Sequence, residues 1–133
     1  MINDIWFLER HLVSDGFDRA LARLQTELPF TIHEYASGSE AWTWIIPPKW
    51  VCHEAFVERL TGERVIDYKH HPLHCASYSS SFDGVVSRDE LFKHLAVHSL
   101  PDAIPFAWKY YKTDWGLCCT ARQKELLTDD QYR

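Results

Sequence analysis

No stretch of the chain approaches the roughly 18 to 20 consecutive apolar residues that a membrane-spanning helix needs. The opening "MINDIWFLERH" carries no basic leader followed by an apolar run. No membrane partner is therefore expected, and the cytoplasm is the default location. Basic residues are in the minority, 14 Lys and Arg against 19 Asp and Glu, for a net charge of -5. They form no cluster, and phosphate binding needs concentrated positive charge, so nucleic acid is excluded as an expected partner. Glycine is scarce as well. Gly16, Gly38, Gly62, Gly84 and Gly116 stand alone, which rules out a dinucleotide fingerprint or a phosphate-binding loop. Cys52, Cys75, Cys118 and Cys119 show neither C-x-x-C spacing nor a secreted framework. They read as reduced thiols, which behave as small hydrophobes when buried.

Apolar and aromatic residues are what the chain does have. Of its 133 residues 46% are hydrophobic and 14% aromatic, six of them tryptophan, a composition that folds around a core rather than remaining disordered. The length suits one domain or a piece of a larger one. Ser14 or Asp15 can cap a helix to about Leu28, with Phe17, Ala20, Leu21, Leu24 and Leu28 on one face and Pro29 as its stop. Phe30 to Ala36 reads as a strand. "SGS" then turns the chain into "AWTWIIPP", where Trp42, Trp44 and Ile46 share one side of an alternating pattern. Val51 to Leu60 fits either element and is read as a strand, which pairs across "TGE" with "RVIDY" in a hairpin. His74 to Ser79 is expected to form another strand, followed by a turn at Asp83 and Gly84.

"SRDE" at Ser87 to Glu90 is a capping box opening a helix with Leu91, Phe92 and Leu95 on its apolar side. "AIPFAWKYY" alternates through Ile104, Phe106, Trp108 and Tyr110 as a long strand, ended by Gly116. Thr120 with Gln123 caps a last helix, and Tyr132 and Arg133 read as the opening of a further strand. The fold class is α+β with mixed strand pairing, a β-rich middle flanked by N- and C-terminal helices.

The densest chemistry lies in "KHHPLHCASYS", Lys69 to Ser79. A zinc site needs three or four ligands converging on one point. In extended chain the adjacent His70 and His71 point to opposite sides, and Pro72 keeps His71 out of helical conformation. On the expected strand His74, Ala76 and Tyr78 share one face while Cys75, Ser77 and Ser79 share the other, so the cluster divides and no metal site is expected. The adjacent Cys118 and Cys119 can serve as a thiol nucleophile only with a lowered pKa, which the helix beginning near Thr120 could help supply. The alternative is a packed turn. Trp42, Trp44 and Trp50 can line a ligand groove or lie in the core.

The order of segments resembles a known family. "SDGFD", "SG-x-E-x-W-x-W-x-x-P", "LH-x-x-SYS" and "PDAIP...YY...DWG-x-C", spread from Glu9 to Arg133, are similar to the N-terminal part of a bacterial and archaeal aminopeptidase-like family with a di-zinc exopeptidase fold. The resemblance implies that residues 1–29 belong to a peptidase-like domain. Residues 30–117 would form an inserted β-rich domain, similar to the swivelling β/β/α modules that other exopeptidases carry as lids. Residues 118–133 would lead back toward the peptidase core, with a winged helix at the C-terminus of the full-length protein. Zinc is implied for the full-length family, but its metal motif, resembling "H-x-C-H-P-S-x-A-N-D-N", has no counterpart in this sequence. No catalytic residue and no cofactor are therefore assigned to this chain.

The leading expectation is an accessory portion, catalytically silent alone, that shapes or covers a substrate cleft. Its partner would be the remainder of the peptidase domain, with self-association through exposed apolar helix faces. The alternative is a free-standing module for a peptide or sugar, using Trp42, Trp44, His74, Tyr78 and Trp115. A thiol or metal enzyme acting through Cys118, Cys119 or the histidines is the third option.

Overall fold

A computed structural model describes residues 1–133 as two compact units, Met1–Val51 and Cys52–Arg133. In the first, α1 (Ile2–Ile5) precedes α2 (Asp15–Gln25). Ser14 caps α2 from extended backbone, its Oγ accepting the Phe17 N–H at 3.2 Å and facing the Glu9 carbonyl at 2.9 Å. That satisfies one of the donors a helix start leaves unpaired. The helix stops at Gln25, three residues short of the expected end. Ala20 is buried and Leu21 and Leu24 half-buried, while Phe17 and Leu28 remain exposed. Arg23 ties the helix back to α1 through Asp4 at 2.8 Å.

Phe30 to Ala36 is not a strand; it runs without regular pairing. The expected single strand through Trp42, Trp44 and Ile46 is instead a hairpin, in which β1 (Glu40–Ala41) and β2 (Trp44–Ile45) pair antiparallel across Trp42 and Thr43. Trp42 takes a left-handed φ of 55° at its tip, as two-residue hairpin loops require. Alternation persists through a turn, so the pattern hid the reversal.

In the second unit β3 (Phe56–Glu58) and β4 (Arg64–Asp67) form the expected hairpin, turned at Gly62 with φ 90°. The long strand expected from Val51 to Leu60 shrinks to β3. A 3-10 turn, Pro72–His74, follows, then β5 (Val86–Ser87), α3 (Arg88–Lys93), β6 (Leu95–Val97), β7 (Leu117–Cys119), α4 (Ala121–Glu125) and β8 (Gln131–Tyr132). The strands form two-stranded sheets with no closed barrel, and the pairing is mixed: β5 with β8 antiparallel, β6 with β7 parallel. The fold is α+β.

Both expected caps form. Thr120 and Gln123 make the complete reciprocal box. Ser87 caps α3 through the Glu90 N–H, but the Glu90 carboxylate goes to Lys93 and His94 instead of the cap. Val57, Ile66, Leu91, Leu95, Leu117, Cys119, Leu127 and Tyr132 make one buried cluster, drawn from β3, β4, α3, β6, β7 and β8 and from the turn after α4. The last residues close it: Arg133 and Glu58 exchange backbone hydrogen bonds at 2.7 and 3.0 Å.

Candidate functional site

Among the residues expected to line a pocket, Trp42 and Trp44 lie in the first unit and His74, Tyr78 and Trp115 in the second. Trp42 is fully exposed on its hairpin tip, and Trp44 on β2 is 38% exposed.

His74 and Tyr78 do not share a strand face, because the strand expected from His74 to Ser79 is absent. Pro72 sits at the start of a 3-10 turn, where its fixed φ and missing N–H are tolerated. Only single bridges follow, Cys75 to Leu117 and Ser77 to Trp108. His74 ends the turn buried, with Nδ1 at 2.8 Å from the Cys118 carbonyl and Nε2 at 3.5 Å from Gln123 Nε2. The Gln123 carbonyl already accepts the Thr120 N–H at 3.0 Å, so its amide faces the imidazole. The neutral ring with the proton on Nδ1 satisfies both contacts.

Burial pushes the His74 pKa below its ordinary 6.5, opposed by the Cys118 carbonyl and aided by His70. Burial lowers that of His71 as well. A depressed histidine pKa contributes stability that is complete above the unfolded value and is lost as pH falls from there through the lower folded value, since the unfolded chain binds the proton first. The urea midpoint of the second unit is therefore expected to drop between about pH 7 and about pH 5.5, and His74→Gln to flatten that drop. An unchanged pH profile in the variant contradicts this assignment.

The histidines of "KHHPLHC" have separate duties. His71 Nδ1 accepts the Leu73 N–H at 3.1 Å, His74 is locked as described, and His70 is exposed. No three His, Cys, Asp or Glu side chains gather closely enough to hold a metal ion. Cys118 and Cys119 are fully buried, and burial pushes their thiols up to about 11 and about 12. Both are protonated at neutral pH, which leaves no thiolate nucleophile. Cys75 is also raised, through its hydrogen bond with Cys52 and its burial.

Trp115 is half-buried, with the His94 and Phe82 rings stacked on it at 3.8 and 4.7 Å. His94 Nε2 meets Glu90 at 3.2 Å, Nδ1 lies 3.3 Å from Asp114, and Asp114 pairs with Lys109 at 2.8 Å. Sequence reading missed this cluster, although the four-residue spacing of Glu90 and His94 on a helix is a readable signal. The stretch expected as a long strand, Ile104 to Tyr110, is an irregular loop held to Ser77. It presents Phe106, Trp108 and Tyr111 to solvent. Two grooves on the surface of the second unit are shallow. One of about 610 Å³ runs beside Leu60, Ser87 and Asp129, and one of about 400 Å³ beside Phe92, Lys124 and Leu127. Neither is lined by an expected pocket residue, and no helix is long and apolar enough to cross a membrane.

This α+β chain, with its helical first unit and its core of short paired strands, falls in a recognised class of module. Residues 49–133 match the family described as "Domain of unknown function (DUF2172)", and the chain belongs to that family. A protein of Clostridium acetobutylicum described as "Putative polysaccharide biosynthesis protein with aminopeptidase-like domain" is 33% identical over 135 residues, covering 99% of this chain and 31% of its own length. A crystal structure titled as a "putative peptidase" from Clostridium acetobutylicum matches with a TM-score of 0.87 at 32% identity, over 98% of this chain and 31% of that one. The chain thus spans about a third of the relatives it matches and resembles an aminopeptidase-like protein over that third.

Proposed function

We propose that this chain is the accessory, N-terminal portion of an aminopeptidase-like zinc hydrolase, shaping or covering the substrate cleft and catalytically silent alone. The observation that carries this reading is the coverage: nearly all of the chain matches only 31% of relatives described by an aminopeptidase-like domain or as a peptidase. On this reading residues 1–29 belong with the peptidase-like domain, 30–117 form the inserted β-rich domain and 118–133 lead back toward the core. The remainder of that domain is the partner. The exposed Phe17 and Leu28 on and after α2 favour self-association when it is missing.

The donors present here do not fit a zinc site. His74 has both ring nitrogens engaged, and no three His, Cys, Asp or Glu side chains converge on one point. The metal that polarises the scissile carbonyl and supplies hydroxide in such hydrolases is therefore assigned to residues outside this chain. The test is hydrolysis of leucine p-nitroanilide by the purified chain with added zinc. No turnover above the zinc blank is expected, and turnover that copurifies with the chain and is lost on unfolding would contradict the reading.

The second reading, a module that binds a peptide or sugar, is favoured by the exposed aromatic loop from Phe106 to Tyr111. The polysaccharide link in the relative's description brings sugars within its scope.

A further inference from the structure

The loop from Phe106 to Tyr111 presents more aromatic surface than the fold uses. Phe106, Trp108 and Tyr111 are 63%, 53% and 78% exposed. The Tyr78, Tyr110, Tyr111 and Trp108 rings form a chain of edge contacts at 5.5, 4.7 and 5.5 Å. Contiguous exposed apolar surface of this kind marks a contact site. The backbone beneath it is pinned: the Ser77 N–H donates to the Ala107 carbonyl at 3.0 Å and the Lys109 N–H to the Ser77 carbonyl at 2.8 Å. Tyr78 is held at a left-handed φ of 60°. That conformation is costly for a residue with a β-carbon and persists where its surroundings impose it, which is often at binding sites.

We propose that this loop is a subsite for a neutral carbohydrate chain, with Trp108 and Tyr111 as stacking platforms and Tyr78 and Tyr110 as their support. The proposal rests on the second reading and names its ligand class. Neighbouring rings meet at 71 to 81°, so the surface is faceted. Separate ring faces suit pyranose rings, each laying its C–H bonds against one aromatic face, whereas a docked helix or strand needs a continuous groove or an open sheet edge. Lys109, within the loop, is already neutralised by Asp114 at 2.8 Å, which favours an uncharged ligand over an anionic one. The phenol hydroxyl of the exposed Tyr111 offers a donor and an acceptor to sugar hydroxyls beside its stacking face.

The test titrates the 133-residue chain with cellohexaose and with maltohexaose up to about 10 mM, read by tryptophan fluorescence and by calorimetry. Saturable binding of at least one is expected, weakened roughly tenfold by Trp108→Ala and by Tyr111→Ala and less by Trp108→Phe. Tyr35→Ala, at an exposed aromatic outside the loop, should leave it unchanged. Because these side chains are exposed, circular dichroism and unfolding midpoints should stay those of the parent, which separates lost binding from lost fold. The subsite is overturned if neither sugar binds, or if binding survives both alanine variants. Sugar binding that moves with Trp42 or Trp115 instead, or a hexaalanine peptide that binds where the sugars do not, overturns the subsite and leaves the second reading standing. Failure of both sugars and the peptide overturns both.

Discussion

Tyr132→Ala is expected to destabilise the second unit by about 3 to 5 kcal/mol, the cost of emptying a large aromatic site in a packed core. Tyr132 is fully buried although it is the penultimate residue. Its strand pairs Val86 with Tyr132, and a bridge from Arg59 to Tyr132 carries the same strand alongside the β3–β4 hairpin. The phenol oxygen accepts the Asp129 N–H at 2.6 Å, closing the turn between α4 and β8. Tyr132→Phe keeps the ring and loses only that bond, so about 1 kcal/mol is expected. Urea unfolding of the two variants separates the terms. A loss below about 1 kcal/mol for the alanine variant would mean that the C-terminal strand is not part of this core.

Gly16→Ala has the largest expected effect in the first unit. A β-carbon there would lie 2.0 Å from the Glu9 carbonyl oxygen and 2.8 and 2.9 Å from the Glu9 carbonyl carbon and nitrogen. All three are backbone atoms, so no side chain can swing aside. The Glu9 carbonyl also faces the capping hydroxyl of Ser14, and moving it disturbs the helix cap. Overpacking against fixed backbone costs about 3 kcal/mol or more. Gly38→Ala is the control, because it meets nothing within 4 Å at φ 85° and carries only the left-handed penalty of roughly 1 kcal/mol. Hydrogen exchange across α2 reads the difference. Equal protection in the two variants would contradict the close approach.

Three of the four helices were legible because their signals are local, while the single turn of α1, Ile2–Ile5, was not expected. Ser14, Ser87 and Thr120 each cap the helix that their spacing announces, and a cap acts within one turn of chain. The "TGE" hairpin was legible for the same reason. Apart from that hairpin and the strand begun at Tyr132, the strands were not, because a two- or three-residue strand is set by its distant partner rather than by its own pattern: β7 is paired by β6, more than twenty residues earlier. In the aromatic loop, alternation through Phe106 and Trp108 imitates a strand while the side chains face solvent. Composition alone cannot say whether a tryptophan is core or surface. The division of the "KHHPLHC" ligands was reached from extended geometry. The structure separates them by a 3-10 turn instead, with His74 buried and His70 exposed.

The boundaries expected at residues 29 and 117 concern which parent domain a segment serves, and compactness divides the chain elsewhere, after Val51. Thr120 to Arg133 packs into the second core while, on the proposed reading, leading onward to a catalytic one. Such a segment would couple the stability of the accessory portion to its attachment.

The coding sequence downstream of Arg133 tests the central claim most directly. The account predicts an in-frame continuation to about three times the present length, as the 31% coverage of both relatives implies, including a histidine- and aspartate-containing metal motif. A stop codon immediately after Arg133 would contradict it.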